Sequence, residues 1–238
     1  MISIVTAYFN RKELLDKTIE SIEASAIKDY EIIVVDDASA VPLVCDKAKV
    51  IRIEPENKWW HNSCIPFNIG FSHASGDVII IQNPEAYHVG DILSYVDKHI
   101  SDGKYLSFAC YALNPKDTVA LHRGVLPEPE VRKYKHPENN GWYNHSAYAP
   151  TGFHFCSAIT KGNLVGLGGF DKRYADGISY DDNDLVQRVK KTMKLKIIDY
   201  PFVLHQYHYP FNYKQDGYMN LHTINKNIFI DTWGKSAL

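Results

Sequence analysis

Asp77-Val78-Ile79-Ile80-Ile81-Gln82-Asn83-Pro84-Glu85 is the stretch from which the rest of the chain can be read. Val78 to Ile81 is an apolar run of β-branched residues with no polar alternate, the pattern of a strand covered on both faces, as in a parallel sheet between helices. The run ends abruptly. Pro84 has no amide hydrogen for a ladder and restricts Asn83 before it, so the chain must turn. In open α/β sheets ligands sit outside the carboxyl ends of the strands. The turn thus brings two amides, Gln82 and Asn83, and one carboxylate, Glu85, to such an edge. A polar turn that only caps a core strand would read the same way.

Working outward, Ile2 to Tyr8 reads as a first strand, and Asn10 with Glu13 as a capping box opening a helix from Arg11 to about Ile27. Leu15, Ile19, Ile22 and Ala26 fall on one face of that helix. Tyr30 to Val35 is a second strand ending in Asp36-Asp37-Ala38-Ser39, Val50 to Ile53 a third, and Asn62 to about Ser75 a helix leading into the central strand. This alternation predicts an α/β fold with a mostly parallel central sheet flanked by helices. Beyond it, a helix is expected from Asp91 to Ile100 and a strand from Tyr105 to Ala112. Asn114 to Pro150 is rich in Pro, Asn, Tyr and His and lacks periodicity, as either a lid or binding loop or a plain surface excursion would be. Strands at Phe153 to Thr160 and Leu195 to Ile198, and helices at Asp181 to about Met193 and Tyr218 to Phe229, complete the pattern. No linker separates these parts. One domain of two lobes, about 1–112 and about 113–238, is expected.

Bulk properties narrow the function classes. The chain has 238 residues and a formal net charge of -2, which gives no attraction to nucleic acid or acidic lipid. Cys45, Cys64, Cys110 and Cys156 are widely spaced, which favours neither a disulfide framework nor a zinc knuckle. No signal peptide and no apolar run near the ~20 residues of a transmembrane helix are visible, so a cytoplasmic protein is expected. Neither G-x-G-x-x-G nor G-x-x-x-x-G-K-[ST] occurs, which weakens dinucleotide and P-loop readings.

Three groups could carry chemistry. If the first two strands are neighbours, the Thr6-Ala7-Tyr8-Phe9-Asn10 and Asp36-Asp37 ends form one wall of a crevice, where a carboxylate can accept from ribose or base, or simply build a turn. Asp181, Asp182 and Asp184 crowd the start of a helix, where they suit its dipole and where one could be raised into the range of a general base. His205 and His208 follow the last strand and could bind a metal with Glu85, or be structural.

Together these pieces resemble the GT-A glycosyltransferases, specifically the large inverting family 2. Ile2 to Asn10 is similar to that family's opening, Tyr30-Glu31-Ile32-Ile33-Val34-Val35-Asp36-Asp37-Ala38-Ser39 to its "EIIVVDDGS" strand, and Asn57, Asn68-Ile69-Gly70 and Ala74-Ser75-Gly76-Asp77 to the run before its D-x-D strand. Gly168-Gly169-Phe170-Asp171 with Tyr180-Asp181-Asp182-Asn183-Asp184-Leu185 resembles its "GGFDE … YEDxDL" block, so the likeness runs to about residue 208. The resemblance implies a hexosyl-type transferase moving a sugar from a nucleoside diphosphate donor, expected to be a UDP-sugar, to a saccharide or glycoconjugate hydroxyl. Thr6, Ala7, Asn10, Asp36, Asp37, Asn68, Gln82 and Asn83 would bind the donor. Asp182, with Asp181 beside it, would be the catalytic base. Manganese or magnesium would sit on Glu85 and His208, or His205.

The chain departs from that pattern in two places. Gln82-Asn83-Pro84-Glu85 stands where the family has D-x-D, with Gln82 at the first aspartate, so metal binding is expected to be weak. Phe67 stands where an arginine is common, leaving Lys58, His61 or Arg123 as candidate replacements. Aromatic residues make up 13% of the chain and crowd its second half, which suits packing on sugar rings. Trp142, Tyr143, His145, Tyr148, Phe153, Tyr207, Tyr209, Phe211 and Tyr213 are the aromatic acceptor-side candidates, with Asp184 from the acidic cluster; Trp59 or Trp60 could cover the donor or fill core. Two rival readings stand: a degenerate domain that binds saccharide or a partner, and a sugar nucleotidyltransferase, which the lack of glycines in Tyr8-Phe9-Asn10-Arg11-Lys12 disfavours.

Overall fold

The central strand is buried as its composition demands, and its neighbours fix the rest. A computed structural model describes residues 1–130, 140–208 and 217–237. Strands β1 (Ile2–Tyr8), β2 (Tyr30–Asp37), β3 (Lys49–Ile53) and β4 (Val78–Gln82) form a parallel block in the order β3-β2-β1-β4. Helices α1 (Lys12–Glu23) and α2 (Cys64–His73) fall within its connections. Next come β5 (Ala86–Val89), α3 (Ile92–His99), β6 (Lys104–Ala112), α4 (Pro115–His122), β7 (Gly141–Asn144), β8 (Cys156–Thr160), α5 (Lys161–Leu167), α6 (Asp181–Thr192), β9 (Lys194–His205) and α7 (Tyr218–Trp233). The sheet continues from β4 through β8, β6, β9 and β5, with β7 paired to β6. β8 is antiparallel to β4 and β6, β9 is parallel to β6, and β5 is antiparallel to β9.

Period-2 alternation sorts β4 between two cores. Ile80 packs with Leu15, Ile19 and Ile22 of α1 and Ile92, Leu93 and Val96 of α3. Ile79 and Ile81 face Cys64 and Phe67 of α2, Leu164 of α5 and Leu185 and Val189 of α6. All three isoleucines are fully buried, each worth roughly 1.5–3 kcal/mol of apolar burial. The α2 layer lies tight on β1: a Cβ on Gly70 would stand 2.3 Å from Val5 Cγ1. Among the described residues no helix is long and apolar enough to cross a membrane.

Several local expectations change. Asn10 does not cap α1: the helix begins two residues later, and Asn10 Oδ1 instead accepts from the Ala40 amide, tying the β1 exit to the β2 exit. The stretch 114–150 is not without regular elements. Asn114 caps α4 by accepting from the Asp117 amide, and Gly141–Asn144 adds a strand. β5 and α5 are additional short elements, and β9 runs on to His205 rather than stopping near residue 198.

Candidate functional site

The carboxyl ends of β1 and β4 open onto a cleft of about 310 Å³ whose lining includes Ala7, Arg11, His61, Asn62, Phe67, Asn83, Glu85, His154, Asp181 and Asp182. Five regions of the chain meet there: the exit of β1, the start of α2, the turn after β4, the segment before β8, and the first turn of α6 with the residues just before it. A second hollow of about 510 Å³, bounded by Phe9, Asn10, Lys12, Leu14 and His208, shares Arg11 with it.

Glu85 is the centre of charge. Its Oε1 lies 3.1 Å from His205 Nε2 and 3.5 Å from His208 Nε2, and its Oε2 accepts from Arg11 Nη1 at 3.0 Å. Burial pushes this carboxyl up, but the Arg11 guanidinium and the two imidazoles outweigh it and hold the group well below the ordinary carboxylate range. The ladder explains the grouping. Ala86 pairs with His205, and the Gln206 amide donates to the Glu85 carbonyl at 3.0 Å, so the β4–β5 turn and the end of β9 are locked together. One atom from each of Glu85, His205 and His208 lies within 4.8 Å of the other two. Ligands at about 2.0–2.2 Å from a cation stand roughly 3–3.5 Å apart along the edges of a coordination polyhedron. The 3.1 and 3.5 Å separations from Glu85 fall in that range, and they are also the lengths of the ion pairs that join this carboxylate to the two imidazoles.

The acidic pair lies on the other side. Asp181 is buried, and its Oδ1 accepts from Asn62 Nδ2 at 2.9 Å. Burial and the neighbouring Asp182 push its carboxyl up to about 6, against His154 and the Asn62 hydrogen bond, which pull it down. Asp182 is more open, and its Oδ1 is in direct contact with His154 Nδ1. Burial depresses the imidazole of His154, but Asp182 and Asp181 outweigh it and leave the ring above its usual value. The His154 ring is also wedged edge-on against Phe67, at 5.0 Å, and Phe170, at 4.9 Å.

Sequence reading missed His154 and Arg11. His154 carries no motif, and only the Gln82–Cys156 register, which sets the segment before β8 beside the turn after β4, reveals it. Arg11, not Lys58 or Arg123, brings the cation to Glu85. Lys58 is bound to Asp37 at 2.8 Å, and Arg123 closes α4 and does not line the cleft.

The other expected site residues have partners within the fold. Gln82 is turned into the core: Nε2 donates to the Ala86 carbonyl and Oε1 meets His88 Nε2 at 2.9 Å. It shares a strand face with Ile80. Thr6 Oγ1 donates to the Gln82 carbonyl, leaving the hydroxyl buried. Asp36 is sealed by the Ser39 and Leu43 amides and by Arg52. Asn68 is a clamp that both donates to and accepts from the Phe170 backbone. Asp184 is buried between Arg188 and Trp233 Nε1. Trp142 is core, packed on Tyr111 and Phe202. Asp37 lies at the β2 exit, holding Lys58 and Trp60 Nε1. Tyr143 stacks on Phe155 and meets His205 edge-on, while Phe153 is half-buried beside Phe155. His145 and Tyr148 pack on one another, and the Tyr207 amide donates to Thr118. Trp59 is exposed and Trp60 buried. Tyr209, Phe211 and Tyr213 lie outside the described residues.

Several solved structures superpose on this chain. S. aureus TarS, residues 1–349, superposes with a TM-score of 0.58 over 85% of this chain at 14% identity; the chain spans 59% of the length of that structure. The mannosyltransferase PcManGT from Pyrobaculum calidifontis, in complex with GDP-Man and Mn2+, gives 0.53 at 16% identity, covering 99% of this chain and 63% of that one. The catalytic domain of Drosophila beta1,4galactosyltransferase 7, complexed with xylobiose, gives 0.55 at 14% identity, covering 87% and 71%. These likenesses establish the GT-A fold. No curated protein matches the sequence. The model of Glycosyl transferase family 2 matches residues 3–157, from β1 into β8 and so over more than half of the chain: the chain belongs to glycosyl transferase family 2.

Proposed function

We propose that the protein is an inverting glycosyltransferase that moves a sugar from a nucleoside diphosphate donor to a hydroxyl of a saccharide acceptor. The observation that carries this reading is the single cleft bounded on one side by Glu85 and Arg11 and on the other by Asp181, Asp182 and His154. Asp182, the more open of the pair and the one in contact with His154, takes the proton of the acceptor hydroxyl. The acceptor oxygen forms its bond to the anomeric carbon as the bond to the diphosphate breaks, inverting that carbon. Asp181 stays beside it as the buried partner that Asn62 orients.

Glu85, His205 and His208 would hold a divalent ion, whose contribution is to neutralise charge on the diphosphate. Arg11, on the free side of Glu85, adds a fixed positive charge at the same edge. A uridine donor is the reading supported by the TarS structures determined with UDP and with UDP-GlcNAc. Ala7 and Asn83 of the cleft, Asn10 of the neighbouring hollow and Asp37 at the β2 exit would bind the donor, and Tyr143, which meets His205 edge-on, and Phe153 would offer aromatic surfaces to the acceptor. In this reading residues up to about 112 form the donor lobe and the remainder the acceptor lobe.

The test is a turnover screen across nucleotide sugars with and without manganese. Asp182→Asn should lower turnover of the active donor at least 100-fold while UDP binding by calorimetry stays within about threefold, a loss of the size general-base removal gives. Full turnover in that variant would remove the assignment, and no turnover of any nucleotide sugar by the wild type would favour the binding-module alternative.

A further inference from the structure

We propose that Asn225, on α7, is a positioning residue of the cleft: by holding the Tyr174 and Ser179 carbonyls it fixes the left-handed turn that aims Asp181 and Asp182. The proposal rests on the glycosyl-transfer reading for the use those aspartates are put to, and on geometry alone for the clamp.

α7 is exposed or half-buried along its length except at Asn225 and Phe229, which are buried. They lie four residues apart and so share a helix face. Asn225 Nδ2 donates to Tyr174 O at 3.0 Å and to Ser179 O at 2.8 Å. The Phe229 and His222 rings flank Tyr180, with centroids at 5.5 and 5.2 Å, and the Ile178 amide donates to Leu221 O. One stripe of α7 therefore grips every residue from 178 to 180.

The gripped turn is one the chain would not adopt unaided. Ser179 and Tyr180 have φ of 64° and 66°, a left-handed pair without a glycine, and such a pair persists only where its surroundings impose it. Tyr180 is also the residue before α6, and its carbonyl accepts the Asp184 amide that starts the helix. Any relaxation of the turn thus rotates the first turn of α6, which carries both aspartates. Ile178 and Ser179 line the cleft beside them.

The chemistry of Asn225 is specific. Two carbonyls must be satisfied by one planar NH₂, which a carboxylate or an apolar side chain cannot supply. The arrangement is retained at a cost, because Asn225 Oδ1 is buried with no partner among the described residues. The packing leaves no slack either: a Cβ on Gly177 would stand 2.3 Å from Asn225 Oδ1 and 2.5 Å from Leu221 O.

The experiment compares Asn225→Leu, Asn225→Gln and Asp182→Asn, using UDP with manganese for binding and the nucleotide sugar turned over by the wild type for kinetics. Asn225→Leu should lower kcat at least 30-fold while the donor KM and the UDP affinity move less than threefold. Asn225→Gln, which keeps both donors, should recover at least fivefold of that loss. A folded Asn225→Leu with kcat within threefold of wild type overturns the proposal, and so does a parallel loss of UDP affinity and kcat, which marks general damage. If Asn225→Leu does not fold, Gly177→Ala replaces it, with the same selective loss of kcat expected and a wild-type kcat overturning. An inactive Asp182→Asn with a fully active Asn225→Leu removes the clamp alone; an active Asp182→Asn with an impaired Asn225→Leu removes the base alone.

Discussion

A carboxyl group buried beside a second carboxylate is a liability that a fold keeps only for a reason, and Asp181 is such a group. Its ordinary value is 3.8 and burial with Asp182 pushes it up to about 6. Because the folded value lies above the unfolded one, its contribution to stability is fully present below about pH 3.8 and is lost as pH rises through 6, where the fold must carry the ionised form. Asp181→Asn keeps the acceptor for Asn62 without the charge. It should therefore be more stable than the wild type at pH 7.5, by about 1–3 kcal/mol given the gap between the folded and unfolded values, and the gain should shrink at pH 4.5. Urea unfolding at the two pH values measures this, and an equal difference at both would remove the charge argument. His154 faces the same pair from the other side. His154→Gln should lower turnover on the order of 10-fold or more, because Asp182 loses the ring it contacts. Unchanged kinetics would show that the contact has no bearing on the base.

At the scale of elements, the parallel block was legible because its signals are long and unambiguous. Val78 to Ile81 has no polar alternate, and the Asp36-Asp37 ending marks where β2 leaves the sheet. Other elements were illegible for physical reasons. α4 is a polar helix with a weak apolar face, so only the Asn114-Pro115 start could have disclosed it, and β5 has four residues. Gln82 was read by its position in a motif, whereas strand alternation places it on the face of Ile80, where its amide meets His88. His154 needed a register between β4 and β8 that no local pattern encodes. The contact of α2 with β1 makes the element-scale prediction. Gly70→Ala would bring a Cβ to 2.3 Å from Val5 Cγ1, against a fully buried valine with no room to give. Overpacking of that kind typically costs about 1–3 kcal/mol, about 2–12 °C in melting temperature. A variant melting with the wild type would mean that α2 is free to shift away from the sheet.

Only the whole molecule makes the charged centre, since Glu85 and His205, distant in sequence, are brought together by the β5–β9 ladder, with Arg11 arriving from the exit of β1. The proposed donor set, two imidazoles and one carboxylate, would decide which ion suits it. Magnesium prefers an all-oxygen shell and dehydrates reluctantly, whereas imidazole nitrogens favour first-row transition metals. Manganese with UDP should therefore raise the melting temperature of the wild type more than magnesium with UDP at equal concentration. At one hundred times the dissociation constant the gain is about 2.7 kcal/mol of stability. Glu85→Gln and His205→Ala should each weaken manganese binding by calorimetry at least tenfold, with UDP alone bound as in the wild type. Glu85→Gln carries a further cost, because Arg11 and both histidines lose the anion that pairs them; an uncompensated group at a buried site is more damaging than the removal of the whole set. Arg11→Met in the Glu85→Gln background should therefore recover part of the lost stability without recovering the metal. Equal magnesium and manganese effects, or undiminished manganese affinity in both ligand variants, would mean that the imidazoles only hold Glu85 in place and that Arg11 alone meets the diphosphate.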